Sequence, residues 1–280
     1  MGKQDENYWH VWRHELGIYC DLLPVNKHRY KSLFRRAFLL LTFKSAQGNK
    51  MKTIGMLGGM SWESTVTYYR LINTGIKATL GGLHSAKIAM VSVDFDEIEK
   101  MQASGDWQAA ATALSIAAKG IQAAGADFLL ICTNTMHKVA PEIESAISIP
   151  LLHIADATGI QLKANGYTKV GLLGTAFTME QSFYKDRIQE KFGIEVVIPN
   201  TVDRALVHKV IYEELCLGQI SDKSRQDYLA VVDKLADAGA QSIILGCTEI
   251  ALLLQQEHTA VPLYDTTAIH ADAAVKLALS

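Results

Sequence analysis

The sequence predicts an α/β protein in which one parallel-sheet unit is used twice, because its halves share three landmarks in the same order. The longest match sets Ala124-Gly125-Ala126-Asp127-Phe128-Leu129-Leu130-Ile131-Cys132-Thr133-Asn134-Thr135 against Ala238-Gly239-Ala240-Gln241-Ser242-Ile243-Ile244-Leu245-Gly246-Cys247-Thr248-Glu249. Without a gap, Gly125 falls on Gly239 and Thr133 on Cys247. Upstream, Thr53-Ile54-Gly55-Met56-Leu57-Gly58-Gly59 reappears as Lys169-Val170-Gly171-Leu172-Leu173-Gly174-Thr175. Downstream, Ile149-Pro150-Leu151-Leu152 reappears as Val261-Pro262-Leu263-Tyr264. The spacings agree: Gly55 to Thr133 is 78 residues and Gly171 to Cys247 is 76, while Thr133 to Pro150 is 17 and Cys247 to Pro262 is 15. Such agreement marks a duplicated unit.

Each element follows from local pattern. A strand over 52–58 leads to a helix near 63–79, and a strand over 87–93 to a loop holding Asp94 and Asp96. Ala109 to Ala124 has apolar residues at helical spacing. A strand over 127–132 reaches a polar edge, and a helix near 138–146 leads to a strand at Pro150. The second half gives strand 169–173, helix 179–192, strand 194–198, helices 203–217 and 224–238, and strand 242–246. A short strand at Pro262 and a helix over 267–279 close the chain. Strands alternating with helices imply parallel sheets joined by right-handed crossovers.

Composition narrows the function. The chain has 280 residues, 49% of them apolar and 20% charged, enough for two modest domains. A net charge of −2 offers no basic footprint for nucleic acid or an anionic membrane. The apolar runs are too short to span a bilayer. The glycines at 55–59 are not followed by Gly-Lys-Ser/Thr and lack dinucleotide spacing. Cys20, Cys132, Cys216 and Cys247 have no close pairing, which argues against a zinc site or a disulfide framework and for reduced thiols in a cytoplasmic enzyme. No metal is expected. Residues 1–50 hold nine Lys/Arg against four Asp/Glu and have no counterpart in the second half. Arg35-Arg36-Ala37-Phe38-Leu39-Leu40-Leu41 has the basic-then-apolar order of a signal peptide, but the apolar part is short and late. We read 1–50 as an extension outside the folded core, 51–153 as a first α/β domain with 266–280 packing back on it, and 154–265 as a second.

In open parallel sheets the chemistry sits at the carboxyl edge of the strands, which here carries Thr133 in one half and Cys247 in the other. Cys247 lies between Gly246 and Thr248, just before an expected helix. Helix N-terminal amides there are expected to lower the thiol pKa and favour the thiolate. An inert buried cysteine is the plain alternative; the match with Thr133 favours a functional one.

Leu130-Ile131-Cys132-Thr133-Asn134-Thr135-Met136-His137 and Ile243-Ile244-Leu245-Gly246-Cys247-Thr248-Glu249 resemble the two signatures of the aspartate/glutamate racemase family. Gly55-Met56-Leu57-Gly58-Gly59-Met60-Ser61-Trp62 is similar to its aspartate-racemase branch. The resemblance spans 51–280. It implies two pseudo-symmetric flavodoxin-like α/β domains with the active site in the cleft between them. It also implies racemisation of an acidic amino acid by two bases, one on each face of the α-carbon, without pyridoxal phosphate or any other cofactor.

The family's first cysteine immediately precedes Asn. Here Thr133 precedes Asn134, and Cys132 lies one residue earlier on the opposite strand face. Thr133 is therefore assigned to the first-base slot and Cys132 to the core, with Cys132 as the alternative occupant. A thiol ionises near pH ~8.5, whereas an alcohol is far less acidic. Thr133 thus suits proton donation or relay, helped by Glu249 or His137, and the resemblance assigns L-substrate to Cys247. His137 has an equal reading as a structural histidine. Met60, Ser61 and Gln102 resemble substrate-contact positions. Asn134, Thr135, Thr248 and Glu249 lie at the strand ends, and Thr175 and Thr178 in the second half's first loop; turn or capping roles are their alternatives. The resemblance also suggests a homodimer. An arylmalonate-decarboxylase-like lyase using Cys247 alone, and a non-catalytic two-lobed amino-acid-binding protein, are the rival readings.

Overall fold

The computed structural model describes residues 51–280, so the reading of 1–50 and Cys20 lie outside the described residues. The chain runs through β1 (Ile54–Gly58), α1 (Trp62–Leu80), β2 (Ile88–Ser92), α2 (Phe95–Ser104), α3 (Trp107–Ala123) and β3 (Phe128–Ile131). A 3-10 turn (Thr135–Val139), α4 (Ala140–Ala146) and α5 (Ile154–Ala164) lead into the second half. There follow β4 (Lys169–Gly174), α6 (Ala176–Glu180), α7 (Ser182–Phe192), β5 (Glu195–Val197) and α8 (Thr201–Glu213). A 3-10 turn (Leu215–Leu217), α9 (Asp222–Asp237), β6 (Ile243–Gly246), α10 (Ile250–Leu253), β7 (Leu263–Asp265) and α11 (Thr266–Leu279) complete it.

Both sheets are parallel. The first has the order β2-β1-β3 and the second β5-β4-β6-β7. The missing fourth strand of the first sheet is a single bridge between Leu129 and Leu151, at the place β7 takes beside β6. The repeat therefore extends to individual bonds. Leu129 N–H donates to the Pro150 carbonyl at 2.9 Å, and its counterpart Ile243 N–H donates to Pro262 at 2.8 Å. The equivalent glycines Gly55 and Gly171 have one explanation. A Cβ on Gly55 would lie 2.7 Å from Ile121 of α3, and one on Gly171 would lie 2.5 Å from Ile243 and 3.0 Å from Leu235 of α9. At both positions the crossover helix and the neighbouring strand together leave no room for a side chain.

Alternation along the strands sorts the first lobe's core into two faces. Leu57, Leu129 and Ile131 pack with Leu114 and Ile143 on one side. Ile54, Met56, Phe128, Leu130 and Cys132 pack with Tyr68 and Ala274 on the other, under α1 and α11. The second lobe is built around Leu172, Leu173, Val207, Tyr228 and Ile244.

Four expectations about elements need correction. The loop expected at Asp94 and Asp96 is the start of α2: the Asp94 carboxylate accepts the Asp96 N–H at 3.1 Å as an N-cap, and acidic residues fill the first turn. The Pro150 strand shrinks to one bridge because the chain leaves the sheet at once for α5, capped by His153, whose Nδ1 accepts from Ala155 N–H at 3.1 Å. Helix α5 itself was not anticipated, since Thr158 and Gly159 weaken its sequence signal. The helix expected over 179–192 begins earlier and breaks at Gln181, whose extended backbone separates α6 from α7.

Candidate active site

A small cavity of about 40 Å³ lies where the carboxyl edges of β1, β3, β4 and β6 converge. Its walls hold Met60, Ser61, Gln102, Thr133, Asn134 and Thr135 from the first lobe, and Thr175, Cys247, Thr248 and Glu249 from the second. These are the residues expected from the sequence, with one exception. Thr178 is fully buried behind the wall, where its N–H and hydroxyl meet Thr175 Oγ1 at 3.3 and 3.2 Å. The structure adds Phe95, Ile211, Tyr212 and Cys216. Phe95 follows the β2 edge and was open to the strand-edge argument. Ile211, Tyr212 and Cys216 come from the end of α8 and the turn after it, where that argument does not reach.

At the first edge, Cys132 N–H bonds to the Leu57 carbonyl at 2.9 Å, which keeps it in sheet register. Its side chain is wholly buried in the α1/α11 face, and burial pushes its thiol pKa up. Thr133, one residue later, lines the cavity. Asn134 Nδ2 donates to Thr266 Oγ1 at 3.1 Å, and Thr266 donates to the Leu245 carbonyl at 2.8 Å. Asn134 Oδ1 is buried in the cavity wall without a hydrogen-bond partner.

At the second edge, Cys247 Sγ donates to Glu249 Oε2 at 2.9 Å, and Glu249 Oε1 accepts from Ser61 Oγ of the first lobe at 3.0 Å. Ser61 is itself the N-cap of α1. Cys247 is half-buried; it lines the small cavity and packs against the second lobe's core, a poorly solvated environment. Burial first, and the Glu249 carboxylate second, push its pKa well above the usual thiol value. This reverses the expected lowering by helix amides: α10 is only four residues long, begins three residues after Cys247, and is outweighed by burial and a neighbouring negative charge. The resting group is a protonated thiol bonded to a carboxylate.

Other polar contacts join the lobes around the cavity. Thr267 donates to Thr248 at 3.3 Å, and the Thr248 and Ser64 hydroxyls are 2.7 Å apart. Ser64 in turn donates to the Cys132 carbonyl at 3.1 Å. Thr135 and Thr175 meet at 3.2 Å. Gln102 is buried, and its Nε2 is spent only on Met136 Sδ, a weak acceptor, at 2.8 Å. Among the described residues no Lys or Arg lines the cavity. Nor do the described residues contain a group of three or more His, Cys, Asp or Glu that could hold a metal ion.

The profile of the Asp/Glu/hydantoin racemase family matches residues 57–274. The chain belongs to this family. A candidate Asp/Glu racemase of Yersinia pestis is 59% identical and superposes with a TM-score of 0.78, covering 82% of this chain and 100% of that one. An aspartate racemase homologue from Pyrococcus horikoshii OT3 is 31% identical, with a TM-score of 0.72 over 82% of this chain and 100% of its own. A broad-specificity amino-acid racemase of Bacillus subtilis is 25% identical over 191 residues, 67% of this chain and 75% of the relative. The protein is thus an isomerase of the amino-acid racemase type, with the family's two parallel-sheet lobes and a small amino acid as substrate. No helix among the described residues is long and apolar enough to cross a membrane.

Proposed function

We propose that this racemase interconverts the enantiomers of aspartate or glutamate, with Cys247 serving the L-face and Thr133 the opposite face, and without pyridoxal phosphate. The observation that carries the proposal is the Cys247–Glu249 hydrogen bond on one cavity wall, with the equivalent strand end supplying Thr133 to the same cavity. Glu249 takes the thiol proton as Sγ takes the α-proton of the L-substrate, so a high-pKa thiol need not ionise in advance. The electron pair left on Cα is protonated from the other face by Thr133. Glu249 then returns its proton through cavity water to Thr133, and the cycle balances. The absence of a lysine from the wall, among the described residues, leaves no amine there for a Schiff base.

The wall's hydrogen-bonding groups fit an amino acid. Asn134 Oδ1 is an unused acceptor for the α-ammonium, and Thr135, Thr175 and Thr248 offer hydroxyls to the α-carboxylate. Gln102 and Tyr212 supply neutral donors for a side-chain carboxylate. A cavity of 40 Å³ holds only a few waters, so the lobes part to admit substrate and the Ser61–Glu249 and Ser64–Thr248 contacts are remade around it.

Proton NMR in deuterium oxide with separate L- and D-amino acids tests the proposal. Aspartate or glutamate should lose its α-proton signal while chiral chromatography of the same samples shows the other enantiomer accumulating. Carbon dioxide release from an aryl malonate without amino-acid exchange would identify a lyase. Binding without exchange would identify a binding protein.

A further inference from the structure

His137 follows the Thr133 strand end but does not line the cavity; its ring is 1% exposed. One nitrogen, Nδ1, lies 2.8 Å from the Thr133 carbonyl, and the other, Nε2, lies 3.2 Å from the backbone nitrogen of Ile154. An amide N–H can only donate and a carbonyl can only accept. The partners therefore fix the tautomer: Nε2 is bare and Nδ1 carries the hydrogen. Burial, with the His153 and His270 rings alongside, lowers the His137 pKa well below the usual value and keeps the ring neutral.

Ile154 opens α5, at the end of the crossover from the first lobe to the second. That crossover is held from its other side by His270, whose Nε2 donates to the Leu152 carbonyl at 2.7 Å while Nδ1 accepts from the Tyr68 hydroxyl at 2.8 Å. One imidazole thus ties the loop bearing Thr133 to the braced segment joining the lobes. The second half has no such device: the offset that sets Gly125 on Gly239 sets His137 on Ala251.

We propose that His137 is a positioning residue for Thr133, holding the strand-end loop through the Thr133 carbonyl so that the hydroxyl meets the second face of the α-carbon. The inference rests on the two-base reading above. An alcohol is a weak acid, and its proton transfer depends on alignment more than a thiol's does.

Two reactions separate the roles. Racemisation of L-aspartate needs both faces. Elimination from L-3-chloroaspartate needs only the L-face: a base removes the α-proton, the electron pair forms the Cα=Cβ bond, and chloride leaves. The resulting enamine hydrolyses to oxaloacetate and ammonia. The amide nitrogen of Asn can take the place of Nδ1 and donate to the Thr133 carbonyl. Gln instead reaches the place of Nε2, where its amide oxygen accepts from the Ile154 N–H and leaves the Thr133 carbonyl without its donor. His137→Gln should lower L-to-D racemisation by about tenfold, the scale of one lost positioning hydrogen bond, while elimination stays within about twofold. His137→Asn should keep both rates. Equal losses in both reactions, or a loss in His137→Asn matching that in His137→Gln, would overturn the inference. Thr133→Ala serves as the control: undiminished racemisation there would mean that the two-base reading itself has failed. Nitrogen-15 NMR of histidine-labelled wild-type protein checks the geometry without relying on a variant's folding. It should show His137 protonated at Nδ1, and protonation at Nε2 would equally overturn the proposal.

Discussion

The two strand edges are diverged copies, and three of their differences bear on proton handling. Where the second half has Cys247, the first has Thr133; where the second has Glu249, the first has Thr135; where the first has His137, the second has Ala251. The thiol side carries its own proton acceptor at 2.9 Å. The hydroxyl side lacks a carboxylate and instead has its backbone pinned by an imidazole at 2.8 Å. In the proposed reaction a thiol bonded to a carboxylate faces an alcohol whose backbone carbonyl is held by an imidazole. One scaffold accommodates both because the sheets supply matched edges, while the residues just beyond them are free to differ.

Breaking the thiol side should have the largest effect. Cys247→Ala should lower racemisation from either enantiomer by at least about a thousandfold, within the range for loss of a general base, with the fold retained by circular dichroism. Glu249→Gln should come next, with racemisation near neutral pH falling about ten- to a hundredfold. The same variant carries a sign test. Glu249's negative charge helps to raise the Cys247 pKa, so removing it should let the thiol ionise at lower pH. The pH profile for inactivation by iodoacetamide should therefore move down in Glu249→Gln, even as turnover falls. A profile that stays put or moves up would separate Glu249 from the thiol.

The hydroxyl side can be sharpened rather than broken. Thr133→Cys should speed α-proton exchange from the D-enantiomer several-fold, because a thiolate is the better base there; exchange is read by NMR in deuterium oxide. Cys132→Ala is the smallest expected change. It should leave turnover close to wild type and cost about 1 kcal/mol of stability in denaturant titration, the scale of one buried atom group lost from a core. If Cys132→Ala abolished turnover and Thr133→Ala did not, the wrong neighbour would have been assigned.

Much of this was legible in the chain because a duplication prints each landmark twice. Gly55 and Gly171 recur for one packing reason, and the alternation that buries Leu130 also buries Cys132 and turns Thr133 toward the cavity. Edge residues such as Asn134 and Thr248 could be anticipated because strand ends converge by topology. The ionisation of Cys247 could not. Its direction depends on desolvation and on where the Glu249 carboxylate points, and sequence spacing encodes neither. Tyr212 and Cys216 carry no strand-edge signal because they approach the cavity from the end of α8 and the turn after it. Helix α5 was hidden by Thr158 and Gly159, although it anchors the contact that His137 makes with Ile154.

The central claim is that Cys247 and Thr133 serve opposite faces of one α-carbon. It is tested most directly by measuring two rates on Thr133→Ala: L-to-D racemisation of aspartate and elimination of chloride from L-3-chloroaspartate. Racemisation should fall by at least about a hundredfold while elimination, which needs only the Cys247–Glu249 side, continues within about twofold of wild type. Racemisation persisting near the wild-type rate, or elimination collapsing along with it, would contradict the account.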